Sequence, residues 1–251
     1  MSTVKERNRQ QHSHDFDYYS KVGQEYYDAE RHPTCAAFGE ASFALLKQSV
    51  PPEFGSSGQI ISDIGAGQSV VAQLLGNRID RVKALYLIDN SPEMLGYSKK
   101  LHFSNVVRCI TSASEIDSLG VHFDFVVGGL GDPYNDVGFW KAVSRSLCDD
   151  GVCFYTTPSF EWASTYRSTN LSETPDSALF ELRDGQRVHL PSFIFNESEQ
   201  TKLMNSFGLA VQHIEHFKVS SLSSVPKKLT HLHTDTPVVT LYKVSKKTKM
   251  K

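Results

Sequence analysis

Short apolar runs recur through the middle of this chain, and most are followed by a stretch whose apolar positions repeat at helical spacing. The runs Gln59–Ile64, Leu85–Ile88, Val106–Ile110, Phe123–Val127 and Val152–Thr156 predict strands. Between them, Ser69–Asn77 predicts a helix with Val71, Leu74 and Leu75 turned inward. Another helix begins after Ser91, an N-cap, with Pro92 at the first helical position where its missing N–H does no harm. Phe139, Trp140, Val143 and Leu147 mark one face of a third. This alternation predicts an α/β fold: a mostly parallel sheet covered by helices on both faces.

The pattern changes at both ends. From Asp17 to Lys47 it is helical, with Phe38, Phe43, Leu45 and Leu46 as an apolar face, until Pro51, Pro52 and a glycine-rich stretch stop it. Beyond the fifth strand, Phe180–Phe195 reads as a hairpin turning at Asp184-Gly185. Asn196 with Glu199 resembles a capping box, and Leu203, Met204 and Phe207 line a helix that Gly208 ends. "LAVQHIEHF" and "PVVTLYKV" predict two more strands. The organisation expected is a disordered segment 1–15, one domain over 16–245 and a basic tail 246–251. The domain carries an N-terminal helical cap (16–50) and an inserted hairpin (180–195).

Composition narrows the setting. At 251 residues with a formal net charge of -2, the chain suits one domain and has no global attraction to nucleic acid or to an anionic membrane. Cys35, Cys109, Cys148 and Cys153 have no metal-site spacing and read as reduced thiols, so no metal is expected. The polar N-terminus has no apolar core of a signal peptide, and no apolar run reaches membrane-spanning length. A cytoplasmic protein is the expectation.

The chemistry is concentrated in "IISDIGAGQSVVAQLLGN". Glycines after a first strand let backbone approach a ligand, and the helix that follows offers free N–H groups. No Gly-Lys-Ser/Thr follows, which excludes a P-loop. A dinucleotide fingerprint wants a small residue where Val70 stands. Asp63 ends the first strand, and Asp89 ends the second, where a carboxylate can accept both hydroxyls of a ribose.

With "DIGAGQS" and "LIDNSPEML" the chain resembles the class I S-adenosylmethionine-dependent methyltransferases over Tyr18 to Val244. That resemblance implies a Rossmann-like seven-stranded, mostly parallel sheet with its last strand antiparallel, and S-adenosylmethionine as cofactor. It implies that Asp63 faces the amino-acid end of the cofactor, with Gly65, Ala66 and Gly67 beneath it. Asp89 holds the ribose, Asn90 and Met94 lie near the adenine, and Gly129 borders the methyl. Many relatives carry Asp-Ala after the third strand; this chain has Ser112-Ala113 there, with Glu115 as an alternative contact.

Asp132-Pro133-Tyr134 is similar to the Asp/Asn-Pro-Pro-Tyr motif of amino-methylating enzymes with one proline missing, so Asp132 and Tyr134 are the catalytic candidates. A turn capped by Asn135 or Asp136 is the plainer reading. Tyr19, Tyr26, Trp162 and Tyr166 are candidates to cover a substrate; the last two, four apart, share a helix face. Among ten histidines, His189, His231 and His233 stand near expected loops, and the sequence selects none as a base. A pocket closed by aromatic segments favours a small-molecule acceptor. The alternatives are an RNA, DNA or protein methyltransferase using the basic segment Lys243 to Lys251, or an inactive cofactor-binding partner protein.

Overall fold

The computed structural model describes residues 18–169 and 176–247; the expected disordered segment 1–15 and most of the basic tail lie outside them. Five strands alternate with helices: β1 (Ile60–Ile64), β2 (Ala84–Asp89), β3 (Val106–Ile110), β4 (Phe123–Gly128) and β5 (Leu147–Pro158). A hairpin of β6 (Ser177–Glu181) and β7 (Arg187–Pro191) follows, then β8 (Leu209–Lys218) and β9 (Pro237–Lys246). The main sheet has seven strands in the order β3-β2-β1-β4-β5-β9-β8. β1 to β5 pair in parallel, and β9, the last strand, runs antiparallel to both β5 and β8.

The helices are α1 (Tyr18–Val22), α2 (Pro33–Ser49), α3 (Val70–Leu75), α4 (Pro92–Gly96), α5 (Val137–Ser146), α6 (Phe160–Thr169) and α7 (Glu197–Asn205). Caps fall where side-chain chemistry places them. The hydroxyls of Ser69 and Ser91 accept from the Ala72 and Met94 amides, Asp136 from Phe139 and Asn196 from Glu199. The capping role thus belongs to Asp136, while Asn135 is buried in a side-chain network.

Three boundaries differ from the sequence expectation. The helical stretch Asp17–Lys47 is two helices, because Pro33 suits only the first turn of a helix and residues 23–32 form turns instead. The helix expected over Ser69–Asn77 ends at Leu75, where Gly76 takes a φ of 52° and a 3-10 turn takes over. β5 begins at Leu147 rather than Val152, and its register shifts against β4 between Phe123 and Phe125. The polar Asp149-Asp150 there hid the extension from a reading by apolar runs.

Strand alternation builds a core on each face of the sheet. Ile61, Leu85, Leu87, Phe125 and Val127 face α2 and α3, with Phe38, Leu45 and Leu46 of α2 against them. Ile64, Ile88, Val126 and Tyr155 face the other way onto Phe139 and Trp140 of α5. Each such fully buried side chain contributes roughly 1.5–3 kcal/mol of burial free energy. A third, smaller cluster joins Val22 at the end of α1 to Phe180, Leu182, Val188 and Leu190 of the hairpin. This cluster sets the cap over the sheet. The four cysteines are unpaired, and no described helix is long and apolar enough to cross a membrane.

Candidate functional site

The strand order reverses between β1 and β4, so their carboxyl ends diverge and leave a crevice. A cavity of about 480 Å³ occupies it, walled by the loops after β1, β2, β3 and β4 and roofed by the segment from Tyr19 to Phe43.

The floor is the turn from Ile64 to Ser69. Gly65 has a φ of 65° and Gly67 a φ of 43°, conformations that side-chain-bearing residues rarely adopt. A Cβ at Gly65 would stand 2.9 Å from the Tyr134 ring, and one at Gly67 would collide with the Tyr27 hydroxyl. Of the two, Gly65 meets the cavity, whereas Gly67 is off its wall beneath the Tyr27 hydroxyl. Ser69 also takes a positive φ, and its hydroxyl donates to Asp63 Oδ2 at 2.8 Å, beside the Val71 amide at 3.1 Å. Burial outweighs these hydrogen bonds and raises the Asp63 carboxyl to about 7.

Asp89 is the best-organised acid. Its Oδ2 accepts the Gly67 amide at 3.1 Å and its Oδ1 the Ser91 amide at 3.0 Å, with 7% of the residue exposed, toward the cavity. Burial raises its pKa against the pull of those two bonds. Each oxygen keeps acceptor capacity, so the pair can take two neighbouring hydroxyls. Asn90, Met94, Ser112 and Ala113 line the cavity around it. Ser112 caps its own turn, its hydroxyl shared with Ser114, while Glu115 is not on the wall.

At the far wall, Gly129 and Leu130 follow β4. Leu130 has a φ of 50°, a strained value for a leucine, and its amide donates to Thr156 Oγ1 at 2.8 Å. Thr156 in turn meets Ser42 of α2 at 2.7 Å, fixing this corner from β5 and from the roof.

Several candidates stand elsewhere than expected. Asp132 and Tyr134 do lie in a 3-10 turn after β4, but Asp132 is off the cavity wall. Its Oδ2 accepts the Ser192 hydroxyl at 2.5 Å, and Arg167 also holds Ser192, which ties this turn to the hairpin and α6. Burial raises Asp132 to about 6. Tyr134 lines the cavity, yet its hydroxyl donates to the Ile64 carbonyl at 2.8 Å and its ring underlies Gly65 and Gly128. It supports the floor rather than stacking on a ligand's far end. Asn135, fully buried, exchanges hydrogen bonds with Trp140, Gln200 and the Phe193 carbonyl, and so pins the same turn.

Trp162 and Tyr166 do share a face, their rings stacked at 5.4 Å, but that face meets Phe38 of α2 and not the cavity. They pack the sheet's cover and close no lid. His189, His231 and His233 are exposed and off the wall as well.

Tyr19 and Tyr26 are on the roof as expected. Burial raises both phenols well above their ordinary range, so they stay protonated and can donate. Tyr27, grouped with them by the sequence, joins them, and sequence reasoning passed over His32 and Cys35 as wall residues. Tyr27 accepts the Gln68 amide through its hydroxyl and packs edge-on to Tyr97, closing the floor to the roof. His32 and Cys35 complete the wall at the start of α2, with burial raising the thiol to about 11. A Pro-started helix facing a tyrosine-rich segment was the available signal, but pattern alone does not say which of its residues face the crevice.

No family model matches this chain, and no curated protein matches it. Solved structures do. The chain is similar to DhpI in a DhpI–SAM–HEP complex, at 15% identity and TM-score 0.61, over 92% of this chain and 98% of that one. It is similar to a chain from the complex between the Haloferax volcanii Trm112 methyltransferase activator and a methyltransferase, at 12% identity and TM-score 0.65, over 95% and 100%. A Clostridium acetobutylicum S-adenosylmethionine-dependent methyltransferase gives 14% identity and TM-score 0.55, over 92% and 96%. At such identities the likeness shows the fold.

Proposed function

We propose that this chain, which has the class I S-adenosylmethionine-dependent methyltransferase fold, transfers a methyl group from S-adenosylmethionine to a small molecule. The observation that carries the reading is Asp89, clamped by two backbone amides beside the turn that opens at Gly65, with acceptor capacity left toward the cavity. That arrangement suits a ribose and a linker that carries no phosphate. A pyrophosphate would instead want donors where the buried Asp63 stands.

In this reading Asp89 holds the ribose hydroxyls and Asp63 faces the ammonium of the amino-acid end, with Gly65, Ala66 and Gly67 beneath. Asn90, Met94, Ser112 and Ala113 surround the adenine, and Gly129 with the strained Leu130 borders the transferred methyl. When bound, the cofactor supplies an electrophilic methyl on a sulfonium. The protein's part is to align the nucleophile with it, which is worth up to roughly 7–11 kcal/mol for well-oriented reactants. Tyr19 and Tyr26, held protonated, orient the acceptor by donating hydrogen bonds. Tyr134 and Asp132 serve by fixing the floor and the turn.

A roof of Tyr19, Tyr26 and Tyr27 over the crevice supports a small acceptor over a polymer strand. The test is incubation with methyl-labelled S-adenosylmethionine and fractionated cell extract. Label in the small-molecule fraction supports the reading; label in RNA or protein alone overturns the acceptor class, and no label anywhere despite tight binding overturns the activity.

A further inference from the structure

His32 sits at the N-terminal end of α2, on the cavity wall near Tyr26 and Cys35. Its ring is held rather than loose. Phe180 of β6 lies 3.8 Å away, centroid to centroid, and stacks in turn on Tyr26, so the hairpin braces the imidazole and is itself held to the roof. Nε2 is closed from solvent and has no hydrogen-bond partner; Glu25 Oε2 stands 3.9 Å from it. With Nε2 shut in, Nδ1 is the ring nitrogen left to serve the cavity that His32 lines, and the side chain makes no cap bond to its own helix.

Glu25 is itself anchored. Both its oxygens accept the Arg183 amide at 3.0 Å, from the hairpin, while Arg31 lies 3.4 Å away. A buried ring nitrogen facing a fixed carboxylate is best occupied by a proton, which selects the Nε2–H tautomer and leaves the Nδ1 lone pair for the cavity.

We propose that His32 takes the acceptor's proton during methyl transfer, with Glu25 as the positioning residue behind it, so that the nucleophile comes from a hydroxyl or an ammonium group that must lose a proton. This rests on the methyltransferase reading above. The proton leaves the acceptor's oxygen or nitrogen for Nδ1. The lone pair so freed bonds to the methyl carbon, and the carbon–sulfur bond breaks with its electrons staying on sulfur. The sulfonium becomes a neutral thioether, and the imidazolium later gives its proton to solvent.

The charges around the ring fit a base that is neutral at rest. Burial lowers the His32 pKa, Glu25 and Asp28 oppose that, and Arg31 adds to it. From the hairpin, Arg183 engages Glu25 and Asp28; from α2, Cys35 is a neutral thiol, and Tyr26 on the roof is a neutral phenol. Activity should therefore rise with pH as His32 loses its proton, along a limb lying below the ordinary histidine range.

The test uses the full chain, methyl-labelled S-adenosylmethionine and the small-molecule fraction of cell extract as acceptor pool. His32→Gln should lower label incorporation by about 10²–10⁴-fold and remove the rising pH limb. Its affinity for S-adenosylhomocysteine, measured by calorimetry, should stay within about two-fold, since His32 is placed outside the cofactor's contacts. Glu25→Gln, which keeps an acceptor for the Arg183 amide, should move the limb to lower pH by removing the charge that favours the imidazolium. NMR of isotope-labelled histidine in the wild type, with S-adenosylhomocysteine bound, should show His32 neutral with its proton on Nε2. Undiminished incorporation by His32→Gln, a proton resident on Nδ1, or a limb that Glu25→Gln leaves in place would overturn the assignment. Binding without incorporation by the wild type would overturn the methyltransferase reading itself.

Discussion

Replacing Asp89 by Asn tests the ribose assignment with little change of shape. The carboxylate has two oxygens, each already accepting one backbone amide, from Gly67 and Ser91. One further acceptor direction per oxygen serves the two hydroxyls. The amide side chain keeps one oxygen, turns the other into a donor and abolishes the charge. One hydroxyl thus loses its acceptor and the other keeps only a neutral one. Hydrogen bonds to charged groups are worth about 1.5–3 kcal/mol each and neutral ones about 1, so the expected loss is about 2–4 kcal/mol. At 1.4 kcal/mol per decade this weakens binding roughly 30- to 700-fold. Titration calorimetry with S-adenosylhomocysteine reads it directly. Urea unfolding of the ligand-free protein reports separately on the amide that loses its partner. An affinity within two-fold of wild type, in a protein of unchanged stability, would refute the assignment.

Gly67→Ala should weaken S-adenosylhomocysteine binding at least about ten-fold by driving a Cβ into the Tyr27 hydroxyl at a positive φ; adding Tyr27→Phe should restore part of it, and strict additivity in that cycle would contradict the contact. Asp63 has a folded pKa of about 7, above its unfolded value, so between the ordinary carboxylate range and about pH 7 the folded state holds a proton that the unfolded chain has released. Its contribution to stability is greatest at low pH and declines as pH rises through that window, by up to about 1.4 kcal/mol per unit. Urea unfolding at several pH values should show a flatter profile for Asp63→Asn, and parallel profiles would contradict the assignment. Trp162→Ala should cost about 3–5 kcal/mol of unfolding free energy while leaving S-adenosylhomocysteine affinity unchanged, because the ring packs on Phe38 and not on the cavity; lost affinity with intact stability would reverse that.

The parts legible in the sequence were those fixed by near neighbours along the chain. Strand alternation, the serine caps and the run from Asp63 to Ser69 are local, and so is the spacing that stacks Trp162 on Tyr166. Which surface that face meets is decided by Phe38, more than a hundred residues earlier, and no periodicity carries that information. Its motif makes Asp132 a catalytic candidate, and it does lie in the turn after β4. Its partner Ser192 comes from a hairpin inserted sixty residues later, and that contact removes it from the cavity wall. His32 was hidden for the same reason. Its neighbours Phe180 and Glu25 come together only when the hairpin docks on the α1 segment around Val22. The half of the crevice proposed for the cofactor thus draws on two contiguous motifs, and the half proposed for the acceptor on tertiary packing.

The most direct measurement is a crystal structure of the full chain grown with S-adenosylhomocysteine. The account predicts the nucleoside in the crevice, both ribose hydroxyls on the Asp89 carboxylate and the thioether chain over Gly65 and Gly67. A crevice left empty at saturating ligand, or a ribose held by some other group, would contradict it.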